Sequence, residues 1–447
     1  MIKLSRRDPL AHVMSTEATH NPANSRSVST SARLDLPPFA KASAMALPAI
    51  MVGLQLSAWI GFFLLPSAIL GRADFRHLYT AGYMVRSGQA AKLYDYETEK
   101  TLQSTLVSPG TIALPFNHLA YEALLFVPFS LVRYPIAYFL FMGFNLALLG
   151  IAFRLLLPAL ENLRRVWFLL PGGVFFGFFP ITIALMLGQD SILLLLLFVL
   201  AVLAFNRNRE FQAGLLVGLG LFKFQIVLPI ALLFLIWRRW RFIGGFASSA
   251  TGVAIVSVLV FGLAQVRVYL SSLLSMSVGL ASKADQFRYG ISPTSMPNLR
   301  GLIFAMTGGR LPIFWVQAIT TTASIAVLLW VAVAARERLR GSSTVAFLVA
   351  ITAACVVSYH MLIHDLTVML LPLTLILSRF IESEASDDVS GRWVVRFAAL
   401  LLVTPSLVFL VTSFYVVSLP LLAFLVVVMT SRAMHGVPGR VLPSGLS

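Results

Sequence analysis

Residues 191–205 read SILLLLLFVLAVLAF, fifteen positions with no charge and, after Ser191, no polar side chain. A strand of a transmembrane barrel alternates apolar and polar positions over roughly ten residues, and this stretch does not alternate. A chain buried in hydrocarbon has to satisfy its own backbone hydrogen bonds, which leaves the helix. Comparable runs recur along 447 residues, of which 58% are hydrophobic and 12% charged. Mean hydropathy is +0.86. This composition excludes a soluble globular protein and predicts an all-α polytopic integral membrane protein.

Apolar runs and their polar breaks predict about twelve transmembrane helices: 46–70, 134–157, 166–187, 190–206, 211–223, 225–237, 242–263, 312–334, 343–360, 365–381, 393–412 and 414–430. The run 119–132 is apolar too. It holds Glu122 and Pro128 and is too short to cross, so it reads as a re-entrant or juxtamembrane helix. Segments 211–223 and 225–237 are also short, which predicts a depression opening outward beside them.

Orientation follows from where the cations fall. With the N-terminus inside, most of the 34 Lys and Arg residues lie on the cytoplasmic side, concentrated in NRNRE (206–210), WRRWR (237–241) and ARERLR (335–340). Both termini are then cytoplasmic, and the loops 71–133 and 264–311 are extracytoplasmic. Residues 1–42 read as a disordered cytoplasmic tail, 43–435 as the transmembrane domain and 436–447 as a second tail. The net charge of +16 is a topology signal with some attraction to anionic lipid, and calls for no nucleic acid. The single cysteine, Cys355, excludes an intramolecular disulfide.

Ionisable groups at membrane depth are costly, and each is a candidate for function. Asp74 follows the first apolar run, in an amphipathic stretch with His77 and Tyr79, where Arg72 or Arg76 can also neutralise it. In LGQDS (187–191), Asp190 reads as a helix cap, whereas Gln189 needs a ligand or partner. Lys223, in GLGLFKFQ (218–225), can either snorkel to water or neutralise a phosphate. Arg300 has the fork geometry for phosphate. His360 and His364 are four apart, so they share a face if helical, beside Asp365. A metal site needs a third ligand and there is no HExxH pattern, so no metal ligand is assigned and divalent-metal dependence stays open.

The ordered set DFRHLYTAG (74–82), SGQAAKLYD (87–95), PFNHLAYEALLFVPFSLV (115–132), GQDSILLLLL (188–197), AGLLVGLGLFKFQIVLP (213–229), NLRGL (298–302) and SYHMLIHDLTVMLLPL (358–373) resembles glycosyltransferase family 87, the polyprenyl-phosphate-mannose-dependent mannosyltransferase group. The likeness runs over about 70–375. It implies a GT-C-type helical bundle with a large first extracytoplasmic loop whose aspartate, here Asp74, is the catalytic base. It implies a polyprenyl-phosphate-sugar donor, a glycan or glycolipid acceptor, and transfer of a hexose such as mannose outside the inner membrane. Lys223, Arg300, Gln189, His77, Tyr79, His360, His364 and Asp365 are then the candidate substrate-binding residues. A secondary transporter with an outward-facing polar cavity is the alternative. Transporters of that kind usually carry two similar halves, and none are visible in this sequence.

Overall fold

The computed structural model describes residues 34, 36–64, 73–109, 113–277, 292–308, 310–338, 342–386, 388–408 and 413–431, and every regular element among them is a helix. Both tails beyond these limits and Arg72 lie outside the described residues. The first long helix, Pro38–Leu64, begins inside the stretch expected to be a disordered tail. A proline there sits at the helix start, where its missing N–H costs nothing.

The expected twelve crossing helices are not reproduced as such. Seven helices among the described residues are long and apolar enough to cross a membrane, or eight if Leu170–Gly177 and Phe179–Leu187, bent by 47°, form one span. Ser191–Asn206, Ser343–Val357 and Phe414–Thr430 are shorter apolar helices. An apolar run reports burial in lipid or protein and says little about crossing, so twelve runs do not require twelve crossing helices.

One of the seven, the run Glu210–Ile236, would reach about 40 Å if straight. It turns back instead. At Lys223 the backbone leaves the helical region, with φ −111° and ψ 53°. Arg239, just past the C-terminal end of the run, lies 3.3 Å from Glu210 at its start. The run is therefore a hairpin of Glu210–Leu219 and Phe224–Ile236 with Lys223 at its tip. With the 3-10 turn Gly220–Lys223 completing the first, the arms reach about 23 and 20 Å, shorter than an ordinary span but comparable with the helix Ser191–Asn206.

Glycine sets how the hairpin docks. A Cβ on Gly214 would lie 2.0 Å from the Phe242 carbonyl oxygen, and one on Gly245 would lie 1.9 Å from that of Phe211. Gly218 faces Ser249 in the same way, so the first arm and the helix Trp240–Phe261 run parallel, backbone against backbone. This is the GxxxG kind of contact, in which small residues let membrane helices approach. The Ser249 hydroxyl adds a 2.7 Å bond to the Leu215 carbonyl.

The first large loop is structured. Phe75–Arg86 and Tyr96–Leu106 are helices, and 120–131 folds into short helical turns that do not cross, as expected for a re-entrant segment. Phe75 stacks on Phe141, and Phe126 and Tyr134 surround it, so an aromatic core fixes the loop to the bundle. The expected outer loop 264–311 opens with a further helix, Leu263–Ser277. Its Gln265 and Tyr269 bond the backbone of Ala91 and Asn117, tying the two loops together.

Candidate active site

The turn at 187–191 brings the site together. The helix Phe179–Leu187 ends on Gly188, whose φ of +64° is open to glycine at little cost. The Gln189 amide donates back to the Ala184 carbonyl, closing the helix end. A Cβ on Gly188 would lie 2.7 Å from the Cβ of Phe75, so only glycine lets this turn seat against the residue after Asp74.

Gln189 then reaches both ways. Its Nε2 donates to Asp74 Oδ2 at 2.9 Å, and its Oε1 accepts from Lys223 Nζ at 3.3 Å. Its backbone carbonyl accepts from Asn145 Nδ2 at 3.0 Å, which fixes the turn. Lys223 also lies 3.2 Å from Asp190 Oδ1 and 3.2 Å from Asp365 Oδ1. Asp365 in turn accepts from the Ser191 hydroxyl and the Leu362 amide. Residues 74, 189, 190, 223 and 365, far apart in sequence, thus form one continuous polar network.

Asp190 and Asp365 in it, and Glu122 beside Asp190, are at most 2% exposed, and Lys223 is 3% exposed. Asp74 alone of the four carboxylates keeps partial exposure. It precedes the Phe75–Arg86 helix without capping it, which leaves its oxygens for other partners. Arg76, two residues on, is buried and feels the Asp74 charge.

A second string of groups enters from the first loop. His77 Nε2 and His118 Nε2 share a 3.3 Å hydrogen bond, and His118 Nδ1 lies 2.9 Å from Glu122 Oε2. Burial, and then His118, holds His77 well below the ordinary imidazole value, so it is neutral at pH 7. The helix Tyr96–Leu106 positions this string. Glu99 accepts from the Phe116 amide at 2.8 Å, and Gln103 makes two bonds to the Leu114 backbone. Burial pushes the Glu99 carboxyl up to about 8.

The remaining candidates sit as follows. Tyr79 is buried and its hydroxyl is spent on the Val132 carbonyl at 2.8 Å. Arg300 donates to the Tyr359 carbonyl at 2.8 Å and stacks over the Tyr359 ring at 4.0 Å. His360 and His364 do not share a helical face. The helix Ser343–Val357 ends before Ser358, and a 3-10 helix starts only at Ile363, leaving His360 in the intervening loop. His364 Nε2 lies 3.5 Å from Asp365 Oδ1.

Asp190 stands at the expected N-terminus of the Ser191–Asn206 helix, but its side chain makes no capping bond and faces Lys223 instead. Sequence reasoning also missed His118 and Glu122. Their signal was the charged pair inside the otherwise apolar PFNHLAYEALL (115–125), at the i, i+4 spacing of one helical face.

The network stands at the junction of the first loop with the bundle, and every charge in it comes from a different break between apolar helices. A family model matches residues 121–358, more than half of the chain. The chain belongs to glycosyltransferase family 87. It is a membrane glycosyltransferase, and its substrates are sugars. No curated protein and no solved structure gives a significant match. Within the matched residues of this family 87 protein lie Glu122, Gln189, Asp190, Lys223 and Arg300. Asp74, His77, Tyr79, His118, His360, His364 and Asp365 lie outside them.

Proposed function

We propose that this family 87 protein transfers a hexose, mannose by the family resemblance, from a polyprenyl-phosphate-sugar to an acceptor hydroxyl, with Asp74 as general base in a GT-C-type bundle. The acceptor is a glycan or a glycolipid. The observation that carries this reading is the partial exposure of Asp74 in a network whose other carboxylates are sealed. A base has to reach the proton it removes, and Asp74 is the acid that can. The acceptor oxygen forms a bond to the anomeric carbon, the bond from that carbon to the phosphate oxygen breaks, and the hydroxyl proton passes to Asp74. Polyprenyl phosphate leaves. A phosphate monoester is a good leaving group, so no strong general acid is needed. Cationic stabilisation of its oxygens is enough.

Arg300 is the cation for that phosphate. The bond to the Tyr359 carbonyl takes one of its five N–H donors, and a guanidinium can bind phosphate through two others. Lys223 is held between two carboxylates and Gln189, so its charge acts on donor phosphate only through that network. The reaction sits on the extracytoplasmic side of the inner membrane, because the site lies away from the arginine-rich hairpin ends.

Asp74→Asn tests the reading. The amide keeps an oxygen for Gln189 but cannot take a proton, so turnover of labelled polyprenyl-phosphate-mannose should fall by about 10²- to 10⁴-fold while donor affinity is kept. Near wild-type turnover in a folded Asp74→Asn protein would end the assignment.

A further inference from the structure

One nitrogen of His118 and one oxygen each of Glu122 and Asp190 lie within 4.8 Å of one another. Glu122 and Asp190 are almost wholly inaccessible. Despite that burial, Glu122 Oε1 and both Asp190 oxygens have no hydrogen-bond donor among the described residues. The Lys223 ammonium sits 3.2 Å from Asp190 Oδ1 as an ion pair and leaves the rest of that carboxylate unsatisfied. Buried carboxylate oxygens facing each other without donors require either protons or a cation between them.

Three carboxylates, Glu122, Asp190 and Asp365, are buried beside the single ammonium of Lys223, so a cation has room to take the place of the protons that would otherwise lie between Glu122 and Asp190. The donor set is an imidazole nitrogen with two carboxylate oxygens, which suits a first-row divalent metal better than the all-oxygen shells of Ca²⁺ or Mg²⁺. Donors each about 2.1 Å from one ion stand about 3 to 4.2 Å apart, so adjustment of these side chains by about an ångström closes the site. The supporting partners are present as well. His77 bonds the far nitrogen of His118, as outer partners commonly fix the tautomer of a metal-bound imidazole.

We propose that His118, Glu122 and Asp190 form a binding site for one divalent transition-metal ion. The site joins the first loop to the turn that carries Gln189, and so ties Asp74's support to the re-entrant segment. It does not depend on Asp74 being the base. It uses neither His360 nor His364, for which the sequence assigns no metal-binding role.

The test uses the full chain, purified in lipid nanodiscs and assayed for metal before and after chelator treatment. The stripped wild type should take up one Mn²⁺ per chain, read by electron paramagnetic resonance, and its melting temperature should rise with added Mn²⁺. Glu122→Gln should bind at least tenfold more weakly and lose the Mn²⁺-dependent rise. Asp190→Asn, which keeps the side-chain size, guards against a folding failure in the first variant and should behave alike. A folded wild type that carries no metal as purified and takes up none would overturn the proposal in favour of a carboxyl pair sharing protons. Equal binding by folded Glu122→Gln would overturn the ligand set.

Discussion

Gln189 is a neutral side chain doing what no ion at that position could do. Its amide donates to the Asp74 carboxylate and its oxygen accepts from the Lys223 ammonium. A glutamate would repel Asp74, and a lysine would repel Lys223. Gln189→Leu removes both contacts, each a hydrogen bond to a charged group worth about 1.5–3 kcal/mol. If Gln189 positions Asp74, kcat should fall roughly tenfold or more with KM for the donor little changed; a purely structural role would lower melting temperature and leave kcat of the folded fraction intact. Lys223 predicts a different failure. Lys223→Met leaves Asp190 and Asp365 buried without their counter-charge, a loss of about 3–5 kcal/mol. Adding Asp190→Asn and Asp365→Asn to that variant should recover much of the lost melting temperature. Glu99 gives a pH dependence. Its folded-state pKa of about 8 lies above the ordinary 4.5, so the folded chain holds a proton that the unfolded chain has lost. Its stabilising effect is therefore full below pH 4.5 and declines as pH rises toward 8. Thermal melts of Glu99→Gln should lose that part of the decline, and the variant's margin over wild type should grow from pH 5 to pH 8.

At the scale of elements, the hairpin Glu210–Ile236 decides the shape of the site. It lifts Lys223 to a tip between the turns at 190 and 365 and returns the chain to the end where it entered. Its docking depends on backbone contact at Gly214, Gly218 and Gly245, where a side chain has no room. Gly245→Val should lower the melting temperature by the equivalent of about 1–3 kcal/mol for an overpacked contact. Gly252→Val, on the same helix with nothing within 4 Å of a Cβ, is the matched control and should melt close to wild type.

For the molecule as a whole, the Ser191–Asn206 helix separates two polar ends. Asp190 and the rest of the polar network precede its first turn. At its other end Asn206 bonds Thr344, and Glu210 holds Arg239 and Ser343. Sixteen residues at 1.5 Å each put about 24 Å between these ends, close to the thickness of a hydrocarbon core. The second end carries Arg207, Arg209, Arg238, Arg239 and Arg241, and in the proposed orientation it faces the cytoplasm. With Cys355 replaced, a cysteine at exposed Ser87 should react with an impermeant thiol reagent in intact cells. One at exposed Ser386, past the far end of the Leu370–Phe380 helix, should react only after lysis. The reverse pattern would invert the orientation.

The sequence by itself determined the helical membrane class, because a run such as 191–205 has no other way to satisfy its backbone in lipid. Its ordered motifs also carried the family, and its lone polar residues marked Asp74, Gln189, Lys223 and Asp365 as exceptional. Which of those residues meet was decided by tertiary structure alone. Hydropathy treats 211–223 and 225–237 as two segments and cannot say that their ends come together; the Glu210–Arg239 pair and the close glycines do. The i, i+4 rule placed His360 and His364 on one face, yet the helix ends before the first of them. Asp190 looked like a cap because local rules see only its own helix, whereas its partner Lys223 lies 33 positions away. Spacing along one element is a local property. The pairing of charges brought in by separate helix breaks depends on the packing of the whole bundle.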